Sequence, residues 1–199
     1  YTDLTGWIEK AKKEERDALL MIPLDPRYYP TEDPGPLTLL RRVSDKENQI
    51  RLKKILAAGA GAVGTINFMG QNGYLTSRKK IQAVLETLEQ NHLFFVENMP
   101  PSTSTAKDAA KDAHIAYSAV DIDIDGVATE NNIRQKLVEL ERQAHEKGQA
   151  VGYIRPYPLT FVILKAWSED VGRRGIDIVP VSKIAKPLSA DPEQSHEED

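Results

Sequence analysis

The chain alternates between short apolar runs and longer stretches in which apolar residues recur every three or four positions, so strand-like and helix-like segments take turns along it. Thr2 or Asp3 can cap a helix that places Leu4, Trp7, Ile8 and Ala11 on one face. The next run, Ala18-Leu19-Leu20-Met21-Ile22, is continuous and ends at Pro23, the pattern of a strand buried on both faces. Ser44 and Glu47 form a capping box for a helix with Ile50, Leu52, Ile55 and Leu56 that stops near Gly59. Further strands are expected over residues 62–68, 93–96, 120–124, 149–154 and 176–181. Between them, Thr76 opens a helix with Ile81, Val84, Leu85 and Leu88 that ends around Asn91, and residues 104–113 form a short Ala-rich one. Thr129 opens the longest, with Ile133, Leu137, Leu140 and Ala144 inward and Gly148 closing it; the last carries Phe161, Leu164, Trp167 and Val171.

This alternation predicts an α/β fold with right-handed crossovers and a mainly parallel sheet, either open and doubly wound or an incomplete barrel. In both, ligands sit at the carboxyl ends of the strands. Those positions are Asp25, the stretch Asn67 to Asn72, Glu97 and Asn98, Asp125, Arg155 and Ser182. One domain is expected over residues 1–186. Residues 187–199, rich in Pro, Ser, Asp and Glu, read as a disordered acidic tail.

Composition narrows the chemistry. A net charge of −4, a pI near 5.7 and scattered basic residues argue against nucleic acid as a partner. Without cysteine there is no disulfide, thiolate nucleophile or Cys-bound zinc. No apolar run approaches the ~20 residues of a membrane span. The four histidines, His92, His114, His145 and His196, lack the spacing that puts two imidazoles on one metal. A nucleophile elbow and a phosphate-binding glycine loop are both missing from the sequence.

Three segments carry candidate chemistry. Five prolines fall within residues 23–36, a stiff loop that carries Asp25, Tyr28, Tyr29 and Asp33, and it serves either as a rigid crossover or as a platform for a ligand. Asp121, Asp123 and Asp125 alternate with apolar residues, so they project from one face of a strand. Buried together they need a cation or a shared proton; alternatively Asp121 and Asp123 are partly solvated and only Asp125 reaches the site. Asn67-Phe68-Met69-Gly70 and Arg155-Pro156-Tyr157-Pro158 place an amide and a cation on turns at strand ends, suited to a sugar hydroxyl or carboxylate, or to a plain turn.

Taken together these segments resemble the divergent polysaccharide deacetylase family of bacterial envelopes. The resemblance rests on residues 18–26 with Tyr29-Pro30 and Asp33-Pro34-Gly35-Pro36-x-Thr38-Leu39, and on Gly64-x-x-Asn67-Phe68-Met69-Gly70. It continues through Asp121 and Asp125 before Ile133-x-x-x-Leu137, Ala150-Val151-Gly152, and Gly175-Ile176 with Val179-Pro180-Val181-Ser182. It implies a distorted, incomplete (β/α) barrel, with a divalent metal such as zinc and an aspartate base removing an acetyl group from a glycan such as peptidoglycan. It also implies a periplasmic protein, membrane-anchored through a segment upstream.

On this resemblance Asp25 and Asp125 stand in catalytic positions, and Tyr29, Asp33, Asn67, Glu97 and Arg155 in substrate-binding ones. The family's first strand, with its Ile-Asp-Asp-type aspartates, is expected upstream of Leu4, so that the base and one ligand precede the chain. Phe68 and Arg155 stand where some members have histidine, and no residue is assigned to a metal here; Asp25, Glu97 and Asp125 are left as a trio for a hard cation. Two functions follow as alternatives: a deacetylase completed by the upstream aspartates, or a non-catalytic module that binds glycan or an envelope protein such as a peptidoglycan hydrolase or its activator. An open sheet edge in place of the first strand predicts a homo-oligomer.

Overall fold

The computed structural model describes residues 4–188 apart from 27, 32 and 69–72. The expected caps Thr2 and Asp3, the segment Met69 to Asn72 and tail residues 189–199 therefore lie outside the described residues.

Helix α1 (Thr5–Lys13) leads into β1 (Leu19–Ile22) and the proline-rich loop, followed by α2 (Asp45–Ala58) and β2 (Gly64–Asn67). A 3-10 turn precedes α3 (Arg78–Gln90), β3 (Phe94–Glu97) and α4 (Ala106–Asp112). Next come β4 (Ala116–Ala119), β5 (Ile122–Asp123), α5 (Glu130–Lys147), β6 (Gly152–Tyr153), α6 (Pro158–Val171) and β7 (Lys186–Pro187). The main sheet runs β1-β2-β3-β4-β7, and β5 pairs with β6 beside it. Every pairing is parallel except β4 with β7. Strands β1 to β4 are neighbours in chain order, without the reversal that marks a nucleotide-binding sheet. Among the described residues the sheet is open and does not close into a barrel.

One face of the sheet packs Ile22, Phe95 and Tyr117 against α2, α3 and α4, through Leu52, Ile55, Ile81, Leu85, Leu88 and Ala109. The opposite face gathers Phe94, Val96, Val120 and Ala185. Helices α5 and α6 form a third cluster over β5 with Ile122, Ile124, Ile133, Leu137 and Ile163. Alternation along β3 assigns Phe94 and Val96 to one face and Phe95 and Glu97 to the other.

Several expectations need correction. Trp7 is exposed, because α1 is peripheral and only Ile8 reaches the core. Met21 is also exposed, since β1 is the terminal strand of its sheet. Ile50 and Phe161 face outward, while Leu52 and Ile163 make the buried contacts on their helices. The strand expected at 120–124 is split, with β4 starting earlier at Ala116 and β5 keeping Ile122–Asp123. No strand forms over 176–181: an apolar cleft of about 590 Å³ lined by Val151, Gly152, Ile176 and Val179 separates this segment from β6, and Pro180 has no N–H to give a ladder. The sheet gains β7 instead. Pro187 pairs with Ala116 and Leu188 packs against the main core.

The N-cap half of the box expected before α2 forms, with Ser44 Oγ accepting from the Glu47 N–H at 3.2 Å, while the Glu47 carboxylate accepts from Arg51 Nε at 3.1 Å. Ser44→Ala is expected to cost about 1 kcal/mol of stability. A urea midpoint within error of the parent protein would show that the cap contributes nothing.

Candidate functional site

Beyond β1 the backbone continues through Pro23 and Leu24, which bridges Leu39 as the loop returns; the Leu39 N–H donates to the Pro23 carbonyl at 2.9 Å. This return places Arg41 beside Asp25. Arg41 donates to Asp25 Oδ2 from Nε at 2.9 Å and from its backbone N–H at 3.3 Å. A Cβ on Gly73 would lie 2.5 Å from the Arg41 guanidinium carbon, so a glycine there lets the ion pair form. Asp25 itself is 7% exposed. Farther out, Asp33 is exposed and accepts from the Gly35 N–H at 2.9 Å, turning the loop at a glycine with φ +117°. Tyr29, before a cis proline, is half-buried under the Arg42 guanidinium at 4.3 Å.

The ends of β2 and β3 are joined by a side-chain amide. Asn67 Oδ1 accepts from the Asn98 N–H at 2.6 Å, and Asn67 Nδ2 donates to the Asn98 carbonyl at 3.4 Å. This extends the β2–β3 pairing by one mock rung. Asn98 Oδ1 is buried and has no hydrogen-bond partner among the described residues. Glu97 lies on the helix-packed face, 1% exposed, where Ser104 Oγ donates to Oε1 at 2.5 Å and Tyr117 Oη to Oε2 at 2.6 Å. Burial raises the Glu97 pKa above its ordinary value, against the two hydroxyl hydrogen bonds that lower it. Burial, and then the nearby Glu97 carboxylate, likewise holds the Tyr117 phenol up.

After β5 the three alternating aspartates separate by depth. Asp121 is exposed and binds Lys147 Nζ at 3.0 Å and the Val151 N–H at 2.9 Å. Asp123 is partly buried, and the Asp125 side chain is fully buried. Arg155, two residues beyond β6, serves both. Its Nη1 donates to Asp123 Oδ1 at 2.7 Å and Asp125 Oδ1 at 3.0 Å, and Nη2 to Asp123 Oδ2 at 2.9 Å. The Arg155 N–H reaches both Asp125 oxygens at 3.1 and 2.9 Å, and Thr160 Oγ1, in the first turn of α6, donates to Oδ2 at 2.8 Å. The hydrogen bonds to Asp123 foremost, then those to Asp125, hold the guanidinium firmly protonated. A Cβ on Gly126 would meet Asp123 Oδ2 at 2.7 Å, so that glycine lets the loop fold over the carboxylate.

The strand-end residues therefore form three separate networks. The first is Asp25 with Arg41, the second Asn67 with Asn98 beside Glu97, and the third Asp123, Asp125, Arg155 and Thr160. The trio of Asp25, Glu97 and Asp125 does not gather, because Glu97 turns to the helix-packed face and the other two carry their own guanidinium groups. Among the described residues no three His, Asp or Glu side chains come together to hold a metal ion. The divalent ion that the resemblance implies needs bare carboxylate lone pairs, and those of Asp125 already accept N–H and O–H donors. The residues present do not fit it. Arg41, Ser104, Tyr117 and Thr160, the partners that decide this, carry no motif and were not expected from the sequence.

Comparison with known proteins agrees with this architecture. The family described as divergent polysaccharide deacetylase matches residues 1–185. The crystal structure of an uncharacterized protein from Agrobacterium tumefaciens superimposes with a TM-score of 0.85 at 32% identity, over 92% of this chain and 74% of that one. Among curated proteins none matches.

Proposed function

Since the chain belongs to the divergent polysaccharide deacetylase family, we propose that it binds acetylated glycan at the carboxyl ends of its parallel strands, without hydrolysing it by a metal-ion route. One observation carries this reading: Asp25, Glu97 and Asp125, the acids at the matching positions, are each held by internal partners. Asp25 and Asp125 then retain catalytic positions with Asp25 Oδ2 engaged by Arg41 and both Asp125 oxygens engaged by Arg155 and Thr160. Tyr29, Asp33 and the partly exposed Arg155 face the sugar, and Asn67 and Glu97 fix the strand ends behind them. The glycan we favour is peptidoglycan, which places the protein in the periplasm, and the fold we assign is an incomplete (β/α) barrel of the deacetylase type. Among the described residues no helix is long and apolar enough to cross a membrane.

A second partner class is favoured by the surface of α6, where Phe161 is 53% and Val162 70% exposed; such side chains suit an envelope protein, such as a peptidoglycan hydrolase or its activator. The terminal position of β1 similarly favours pairing with a second copy.

The test is retention on insoluble peptidoglycan, together with acetate release from N-acetylated sugar oligomers in added zinc. Retention is expected, weakened several-fold in Tyr29→Ala and Asp33→Ala, whose side chains lie outside the buried networks. Zinc-dependent acetate release would replace this reading with a hydrolase, and absence of retention would remove it.

A further inference from the structure

We propose that Arg155 is the resident cation of the strand-end site, standing between Asp123 and Asp125 where a divalent ion would otherwise be needed to hold two carboxylates together. The geometry is that of a closed coordination set. Asp123 receives the guanidinium as a two-pronged fork, one prong to each oxygen at 2.7 and 2.9 Å. Nη1 is shared with Asp125 at 3.0 Å, and the remaining Asp125 lone pairs take the Arg155 N–H and the Thr160 hydroxyl. A metal ion would have to displace these donors and approach the same oxygens at roughly 2.0–2.6 Å.

Burial decides that this is more than a surface ion pair. The Asp125 side chain has no exposure, and two adjacent carboxylates without a cation repel each other and resist burial. The ring of Tyr153 lies 5.4 Å from the guanidinium carbon and adds a second weak attraction for the cation. Unlike a bound ion, a guanidinium on the chain does not exchange and is not removed by a chelator. It joins the end of β6 to the end of β5 permanently.

The experiment uses the purified chain with zinc and manganese as probes, metal uptake being read by equilibrium dialysis and stability by denaturation. The parent protein is expected to take up no stoichiometric ion, and its midpoint to be unmoved by chelator or by excess ion. Arg155→Gln removes the cation and frees both Asp123 oxygens and one of the two bonds at Asp125 Oδ1. It is expected to gain about one equivalent of divalent ion held chiefly by Asp123, lost again when Asp123→Asn is added. A tight equivalent on the parent protein that Asp125→Asn abolishes would overturn the proposal, as would a folded Arg155→Gln that takes up no ion. If Arg155→Gln does not fold, the parent protein's metal uptake and midpoint decide alone. Glycan is absent from both measurements, so failure here and failure of glycan retention are separate outcomes.

Discussion

Replacing Arg155 by methionine is expected to destabilise the fold by about 3–5 kcal/mol, the range for leaving one partner of a buried ion pair behind. The size of the effect comes from Asp125. Its side chain is fully buried, so the lost guanidinium cannot be replaced by bulk water, although the backbone N–H and Thr160 still donate to it. Asp123→Ala removes the outer, partly exposed carboxylate and should cost less, on the order of 1–2 kcal/mol, because Arg155 keeps Asp125. Adding Asp125→Asn to Arg155→Met should recover part of the loss, since the amide no longer buries a charge. A double-mutant cycle by urea denaturation gives the coupling directly. A loss below about 1 kcal/mol for Arg155→Met would show that the pair is solvated and the network ornamental.

The contrast between this network and the segments around it explains what could be read in the sequence. Periodicity located α3, with Ile81, Val84, Leu85 and Leu88 all buried as expected, because a helix that covers a sheet must repeat its apolar residues. It failed at 176–181, where an alternating apolar pattern looks like a strand but borders a cleft and a proline. The spacing of Asp121, Asp123 and Asp125 left two readings open, all three gathered on a cation or shared proton, or only Asp125 at the site. The fold matches neither whole, since Asp121 stands apart on Lys147 while Asp123 joins Asp125 around Arg155. Strand-end logic put Asp25, Asn67, Glu97, Asp125 and Arg155 in one zone, yet it carries no information about which face each side chain takes. Arg41 reaches Asp25 from sixteen residues away, and Tyr117 reaches Glu97 across a strand pairing, contacts that exist only once the loop returns and β4 is in register. Sequence patterns record local periodicity, whereas the partners that neutralise a buried acid come from tertiary placement.

Glu97→Ala is expected to cost about 1–3 kcal/mol for the buried Tyr117 hydroxyl left without its acceptor, and less for the part-buried Ser104 hydroxyl, which also loses its acceptor. The more informative variant is Glu97→Gln, which keeps the volume and removes the charge. Burial raises the folded pKa of Glu97 above its ordinary value of 4.5, so the folded state holds a proton that the unfolded chain has released. The sign follows from that difference. The stability contributed by the neutral carboxyl is fully present below pH 4.5 and is lost as the pH rises through the raised folded value. Within that window one proton accounts for a slope of up to about 1.4 kcal/mol per pH unit. Glu97→Gln lacks this titration, so its stability relative to the parent protein should rise with pH across the window and then level off. Denaturation midpoints of the two proteins measured from acid to neutral pH provide the check. Parallel curves would mean that Glu97 titrates alike folded and unfolded, and that its place against Tyr117 and the helix layer is open to water.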